Sequence, residues 1–262
     1  MPPLKIAVAT RCFQLPLKDS LRAAAASGAV GVQFDAREEL RPGDLTETGI
    51  RQLLHSLSER GLSIASLVFP TRRSFYDQDE LDARVAATKR AMDLAWQLKC
   101  GVVTVRAGKI PADPASKNYR ILQDVLSDLA HYANRVGSTL AITPTHDSPQ
   151  ALLDLIESIK TGPLAIDFDP AVFVMSGSNP VDAFRSTYRQ VLHLSARDAV
   201  RDIDAGGLEV ALGRGEVEWI EILPLLDEIA YTGWVTVIRT QGDDRGGDVA
   251  RGVKFLNNVM FS

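Results

Sequence analysis

Short apolar runs alternate along the chain with segments in which apolar residues recur every three to four positions. Runs rich in β-branched residues predict strands, whereas a period near 3.6 predicts amphipathic helices. For example, Leu122, Val125, Leu129 and Val136 form one stripe along a predicted helix. Strands that are apolar on both faces and alternate with helices are typical of a parallel sheet covered by helices. The predicted strands are residues 6–9, 32–34, 63–69, 102–105, 140–143, 164–168, 191–194 and 234–238.

Residues with special backbone preferences lie at the boundaries of these segments. The pairs Ser148-Pro149 and Asn179-Pro180 place a capping residue before a proline, which is a typical helix start. A glycine comes shortly before six of the predicted strands, and we interpret it as the left-handed residue that ends the preceding helix. These glycines are Gly31, Gly61, Gly101, Gly137, Gly162 and Gly233.

Eight strand–helix units within 262 residues predict the α/β class and a closed (β/α)8 TIM barrel. The structural alternative is an open, doubly wound sheet, but no glycine-rich dinucleotide-binding turn follows the first predicted strand. No linker-like or low-complexity segment divides the chain. We therefore predict one barrel domain that covers residues 1–262.

Composition narrows the range of functions. The chain is 45% hydrophobic and 24% charged, with a formal net charge of -4, so we expect no nucleic-acid partner. No apolar stretch is long enough to predict a membrane span, and the first ten residues do not resemble a signal peptide. Cys12 and Cys100 form neither a metal-binding nor a disulfide pattern. We predict a cytoplasmic protein and leave a homo-oligomer open.

Ligands of such barrels bind at the carboxyl ends of the strands, where this chain carries several charged and polar residues. Arginine presents a planar fork that suits a carboxylate or a phosphate. Three of the candidates are arginines, which predicts a positively charged mouth that binds a small anion. The alternative is that these arginines pair internally with aspartates at neighbouring strand ends. The ligand-binding candidates are Gln33, Arg106, His146, Arg197, Asp198 and Arg239.

Four segments resemble, in order and at matching spacing, the later strands of the xylose isomerase-like TIM barrels. They are residues 167–171 (DFDPA), 192–198 (LHLSARD), 212–219 (LGRGEVEW) and 231–239 (YTGWVTVIR). The resemblance implies a barrel related to sugar isomerases and epimerases, inosose dehydratases and endonuclease IV enzymes. The endonuclease branch is the poorer match, because it needs a cluster of metal-binding histidines and this chain has four histidines in all.

The resemblance also implies a divalent metal held by Glu, Asp, His and Glu at the ends of strands five to eight. In that family the metal polarises a carbonyl and a hydroxyl of an open-chain sugar. The corresponding positions in this chain are Thr143, Asp169, Ser195 and Ile238. The hydroxyls of Thr143 and Ser195 are poor metal ligands, and Ile238 cannot bind a metal. We therefore expect no metal and no other cofactor at this site.

These observations predict a divergent sugar isomerase/epimerase-like barrel that has lost the metal site. We expect it to bind a small polar or anionic sugar-like metabolite at the C-terminal mouth of the barrel. Asp169, the retained family position, and His193 are the candidate catalytic residues. His193 precedes Ser195 by two residues and therefore faces the same side of its strand.

Two other functions stay open. The first is an active isomerase, epimerase or lyase, which would use a metal-free acid–base pair or a relocated metal on His146 and Asp147 with Asp167 and Asp169. The second is a non-catalytic structural or partner-binding barrel. A structural barrel predicts a mouth that is closed by its own side chains, whereas a binding protein or an enzyme predicts a cavity there.

Overall fold

The computed structural model describes residues 4–202 and 206–260. Residues 1–3, which belong to the segment assessed above for a signal peptide, lie outside this described part. Ten strands are present in it: β1 (Lys5–Ala9), β2 (Gly31–Asp35), β3 (Ser63–Val68), β4 (Val102–Val105), β5 (Thr139–Ile142), β6 (Leu164–Phe168), β7 (Val191–Ala196), β8 (Asp198–Val200), β9 (Leu208–Val210) and β10 (Trp234–Val237).

The helices of the same residues lie between the strands and after the last of them. They are α1 (Leu17–Ala26), α2 (Glu47–Ser58), α3 (Leu81–Gln97), α4 (Lys117–Val136), α5 (Pro149–Ser158), α6 (Pro170–Met175), α7 (Pro180–Thr187), α8 (Trp219–Glu228) and α9 (Arg245–Met260), with short 3₁₀ helices at Thr10–Phe13 and Tyr188–Gln190. Within the described ranges, none of these helices combines the length and the apolar content that a membrane span requires.

Eight parallel strands close into a barrel in the order β1-β10-β7-β6-β5-β4-β3-β2. The predicted (β/α)8 architecture is therefore confirmed, and each predicted run agrees with its strand to within two residues at either end. Apolar side chains such as Val32, Leu140 and Leu194 are fully buried, as expected of strands with helices outside and a filled interior.

The two predicted helix starts are confirmed. The Ser148 hydroxyl accepts a hydrogen bond from the Ala151 backbone N–H at 3.2 Å, and α5 begins at the next residue, Pro149. The Asn179 side-chain oxygen accepts from the backbone N–H groups of Val181 and Asp182 at the start of α7. Each cap satisfies N–H groups that have no partner inside the first turn of the helix.

The glycine interpretation is right at two positions and wrong at four. Gly61 and Gly137 have left-handed φ angles of 65° and 80°. At Gly31 the reason for glycine is close packing, because a Cβ atom there would lie 2.5 Å from the Trp234 ring. Gly101, Gly162 and Gly233 also lack a left-handed backbone. The left-handed residues that precede β2, β4 and β10 come earlier in the chain and are Gly28, Lys99 and Ala230.

A small antiparallel sheet follows the seventh barrel strand, where the sequence pattern predicts no strand. β8 pairs with β9, and Ala199 lies opposite Glu209 in this pairing. The Glu209 side chain is buried although it is charged, with 4% of the residue exposed. The hairpin therefore brings a carboxylate to the carboxyl-terminal end of the barrel, next to the strand-end arginines.

Candidate functional site

A cavity of about 270 Å³ opens at the carboxyl ends of the barrel strands. Its wall combines apolar side chains with hydroxyl groups, three arginines and two buried carboxylates. A purely structural barrel would have a mouth that is filled by its own side chains. The mouth of this barrel is open instead. The lining residues are Arg11, Gln33, Val68, Phe69, Pro70, Thr71, Thr104, Val105, Arg106, Thr143, Asp167, Asp169, Ser195, Arg197, Ile238 and Thr240.

The four positions that correspond to the family's metal ligands all line this cavity. The Thr143 hydroxyl donates to Asp167 Oδ2 at 2.6 Å, and the Ser195 hydroxyl donates to the same carboxylate at 2.8 and 3.0 Å. Ile238 offers no ligand atom. Among the described residues, no group of three or more His, Cys, Asp or Glu side chains is arranged to hold a metal ion. Asp169 alone of the four positions presents a carboxylate.

Asp167 forms the centre of a buried hydrogen-bond network inside the barrel. His193 Nδ1 lies 2.7 Å from Asp167 Oδ1, in addition to the Thr143 and Ser195 contacts. Burial alone would raise the pKa of Asp167, but His193 and the two hydroxyl donors outweigh it and hold this pKa below its usual value. Asp167 is therefore an ionised carboxylate whose oxygens are already engaged.

The network continues from His193 across the barrel interior. His193 Nε2 lies 2.8 Å from the Thr236 hydroxyl and 3.0 Å from the Ser66 hydroxyl. Gln33 Nε2 donates to Ser66 Oγ at 2.9 Å, whereas Gln33 Oε1 has no hydrogen-bond partner among the described residues. Since Gln33 lines the cavity and is 1% exposed, its free oxygen is a buried acceptor next to the space for a ligand.

Asp169 is held by Arg197. Arg197 Nη1 donates to Asp169 Oδ2 at 2.6 Å, and Asp169 Oδ1 has no partner among the described residues. Burial raises the pKa of Asp169 and the positive charge of Arg197 only partly opposes this effect. Two aspartates of one cavity thus have pKa values displaced in opposite directions, an arrangement typical of acid–base sites.

Glu209 holds the other side of the Arg197 guanidinium. Arg197 Nη2 donates to Glu209 Oε2 at 2.8 Å, and Glu209 also accepts from the backbone N–H of Thr240 at 2.7 Å and from the Thr240 hydroxyl. Burial would raise the pKa of Glu209, but the Arg197 charge and the Thr240 donors lower it. Burial likewise disfavours the charged form of Arg197, yet its two carboxylate partners raise its pKa above the usual value.

The strand-end arginines are mostly paired. Arg239 Nε donates to Asp248 Oδ2 at 3.0 Å, and its Nη1 lies 3.7 Å from Glu209. Arg106, in contrast, is exposed at the cavity rim, and its guanidinium has no hydrogen bond or ion pair among the described residues. The alternative of internal pairing therefore holds for Arg197 and Arg239, and Arg106 is the one of the three predicted arginines whose guanidinium has no such partner among the described residues.

Four of the predicted site residues lie outside the cavity wall. Asp198 turns away from the mouth and accepts hydrogen bonds from the backbone N–H groups of Gly213 and Val217 at 2.8 and 3.1 Å. Burial raises its pKa, while these backbone donors oppose the rise. His146 is exposed in the loop after β5, and Arg239 packs against Asp248 and Glu209. His193 also lies off the wall and is connected to it through Asp167 and, by way of Ser66, through Gln33.

The residues of the proposed relocated metal do not converge. The Asp147 carboxylate accepts backbone N–H groups of Ile110 and Thr145 at 2.7 and 2.8 Å, and His146 beside it faces solvent. The sequence interpretation missed Glu209, which comes from the hairpin, and Thr240. The alternation Leu208-Glu209-Val210 was the available signal for a strand there.

The fold and the cavity define the class of protein, a (β/α)8 barrel with a small cavity of mixed polar and apolar lining at its C-terminal mouth. The chain belongs to the xylose isomerase-like TIM barrel family, whose sequence model matches residues 21–259. A curated relative, an uncharacterized protein of Methanocaldococcus jannaschii, is 25% identical over 171 residues. This match covers 58% of the chain and 55% of the relative, so the chain spans about half the length of that relative.

Solved structures with the same fold cover nearly the whole chain. A xylose isomerase domain protein from Planctomyces limnophilus is 25% identical, with a TM-score of 0.86 and 98% of each chain covered. A probable 3-DHS dehydratase from Bacillus anthracis is 18% identical, with a TM-score of 0.81 over 97% of this chain and 99% of that one. A D-tagatose 3-epimerase-like protein is 19% identical, with a TM-score of 0.79 over 98% of this chain and 97% of that one.

Proposed function

We propose that this protein is a divergent sugar isomerase/epimerase-like barrel that works without the family's divalent metal. It binds a small polar or anionic sugar-like metabolite in the cavity at its C-terminal mouth. The observation that carries this proposal is that two cavity-lining residues have a buried acceptor atom without a hydrogen-bond partner among the described residues, Gln33 Oε1 and Asp169 Oδ1. Buried polar atoms are normally hydrogen-bonded, so they indicate where a ligand's hydroxyl groups bind.

The donor set does not fit a divalent metal. Ile238 has no ligand atom, and the hydroxyls of Thr143 and Ser195 are both engaged with Asp167. Asp169 has one oxygen occupied by Arg197, whose positive charge would repel a bound cation. A stable metal site needs several anionic or imidazole donors that converge on one point. Of the four positions, only Asp169 leaves a carboxylate oxygen free to bind a metal ion.

The size and charge of the cavity indicate the ligand class. A volume of about 270 Å³ lies below the range of drug-sized pockets and suits a metabolite of a few carbon atoms. Apolar side chains such as Phe69 and Ile238 offer a surface for the C–H face of a sugar chain. Arg106 adds an unpaired positive charge at the rim, which favours a carboxylate or a phosphate at one end of the ligand.

The test is calorimetry with matched probes in excess EDTA. D-gluconate and D-ribose 5-phosphate represent anionic ligands, and D-fructose and D-ribose represent neutral ones. We expect at least one of the two probe classes to bind. Arg106→Ala should weaken the affinity for the anionic probes about tenfold, because one charge-assisted contact is lost. Arg90→Ala, on the exposed side of α3, is the matched control. Absence of binding by both classes contradicts the proposal.

A second candidate function, metal-free proton transfer on the bound sugar, is favoured by one observation. Asp169 has a raised pKa and a free oxygen in the cavity, so it is suited to take up and return a proton at a carbon next to a carbonyl. The test is NMR of solvent deuterium incorporation into a bound ketose or aldose. Enzyme-dependent exchange that Asp169→Asn abolishes supports catalysis, and its absence leaves a binding protein.

A further inference from the structure

Arg197 carries a buried positive charge between two carboxylates at the cavity wall. Its Nη1 donates to Asp169 and its Nη2 donates to Glu209, at 2.6 and 2.8 Å. The arginine is 7% exposed and its two partners are 1% and 4% exposed. Asp169 is the one retained position of the family's metal ligands, so a fixed cation already lies against the carboxylate that would otherwise serve a metal.

We propose that the Arg197 guanidinium replaces the divalent cation of the family and that its Nε–H group binds an oxygen of the ligand. The proposal rests on the function proposed above, since it assigns a contact within the same cavity. Both carboxylates would be destabilised in a buried site without a positive charge. Arginine supplies that charge permanently, because its guanidinium stays protonated at all physiological pH values.

The hydrogen-bond inventory of the guanidinium supports a role toward the ligand. Its two Nη groups are held by carboxylates, but its Nε has no hydrogen-bond partner among the described residues and is buried. Arg197 lines the cavity, as does Asp169 with its free Oδ1. Two paired residues of the wall therefore each keep one buried polar atom without a partner among the described residues, a charged donor on Arg197 and an acceptor on Asp169.

This donor and acceptor match the chemistry of a hydroxy-carbonyl compound. A carbonyl or carboxylate oxygen accepts from Arg197 Nε, and a hydroxyl on a neighbouring carbon donates to Asp169 Oδ1. A divalent metal would instead bind lone pairs of both oxygens. We therefore expect α-hydroxy carbonyl compounds and α-hydroxy acids to bind more tightly than polyols that contain hydroxyls alone, because only the former offer a strong acceptor to Nε.

Removal of the arginine tests whether it occupies the place of a cation. In Arg197→Ala, Asp169 loses its ion pair, and Glu209 keeps only the Thr240 donors and the 3.7 Å contact with Arg239. We expect this variant to bind Mn²⁺ about tenfold or more tightly than the wild type. Mn²⁺ binding is measured from the loss of the free-ion signal in electron paramagnetic resonance. The added change Asp169→Asn should abolish the gain, whereas Arg90→Ala should resemble the wild type.

Two results overturn the proposal. One is a folded Arg197→Ala variant that binds Mn²⁺ no more tightly than the wild type. The other is wild-type Mn²⁺ binding that Asp169→Asn abolishes, which would show a metal and the arginine at the same site. The Mn²⁺ experiment needs no sugar, so it gives a result even if all sugar probes fail and the proposed function is wrong.

Arg197→Lys keeps the charge and serves if the alanine variant does not fold. Lysine has no Nε–H group and no planar fork, so the variant should still exclude Mn²⁺ but bind D-gluconate about tenfold more weakly. Arg90→Lys is the control. Unchanged gluconate affinity in a folded Arg197→Lys variant overturns the assignment of Nε as a ligand donor.

Discussion

His193 Nδ1 lies 2.7 Å from Asp167 Oδ1, and both side chains are at least 98% buried inside the barrel. The imidazole also contacts Thr236 of β10, a neighbour of β7, and Ser66 of β3, which is not adjacent to β7 in the barrel. His193 does not line the cavity. We therefore expect His193 to position Asp167, which accepts hydrogen bonds from the Thr143 and Ser195 hydroxyls of the cavity wall.

The first prediction concerns this pair. His193→Gln should reduce the free energy of unfolding by about 1.5–3 kcal/mol, because a hydrogen bond to a charged, buried carboxylate is lost. Urea denaturation followed by circular dichroism measures the change. His131→Gln, on the exposed side of α4, is the matched control and should stay within about 0.5 kcal/mol of the wild type. Equal stability of the two variants would contradict the structural role of His193.

The second prediction concerns pH. Glu209 has a lowered pKa in the folded protein, so the unfolded chain binds its proton more readily. Its stabilising contribution is fully present above the unfolded value of about 4.3 and is lost as the pH falls through the lower folded value. The loss of unfolding free energy caused by Glu209→Gln should therefore be largest near neutral pH and decrease below about pH 4.3.

Unfolding free energies of the wild type and Glu209→Gln, measured from neutral pH down to about pH 3, test this dependence. Glu157→Gln is the control, because Glu157 is exposed on α5. If Glu209→Gln lowered the free energy of unfolding by the same amount at every pH, Glu209 would not bind its partners as an anion.

The third prediction separates a structural aspartate from a ligand-binding one. Asp198→Ala removes the acceptor for the backbone N–H groups of Gly213 and Val217, and it should reduce the free energy of unfolding by about 2–4 kcal/mol. D-gluconate affinity of the folded variant should equal that of the wild type, since Asp198 lies off the cavity wall. Asp124→Ala, at an exposed position of α4, is the stability control. A stable Asp198→Ala variant with weakened gluconate binding would reverse this assignment.

Local patterns in the sequence predicted the barrel well because period and capping are local properties. The apolar runs that become β4 and β6 match their strands at both ends, and Ser148 and Asn179 cap α5 and α7 as expected. The glycine at position 31 was misinterpreted, because its close approach to Trp234 depends on two strands that are far apart in the sequence.

The candidate site was only partly predictable for the same reason. Asp169, Arg106 and Gln33 lie on the cavity wall, since their positions follow from the strand ends. Arg197 pairs with Asp169 at the neighbouring strand end, as the pairing alternative predicts, but the other partners of the arginines could not be predicted from the strand ends. Glu209 lies in the β8–β9 hairpin and contacts Arg197, and Asp248 lies in the first turn of α9 and contacts Arg239. The carboxylates that balance these two arginines therefore come from outside the barrel strands.

The most direct test of the central claim is the metal dependence of ligand binding by the wild-type protein. D-gluconate affinity should be measured by calorimetry in excess EDTA and again in excess Mn²⁺, with the D-fructose titrations run in parallel. We predict the same dissociation constant for the bound probe with and without metal, because Arg197 supplies the positive charge. Binding that requires Mn²⁺ and disappears in EDTA would contradict it.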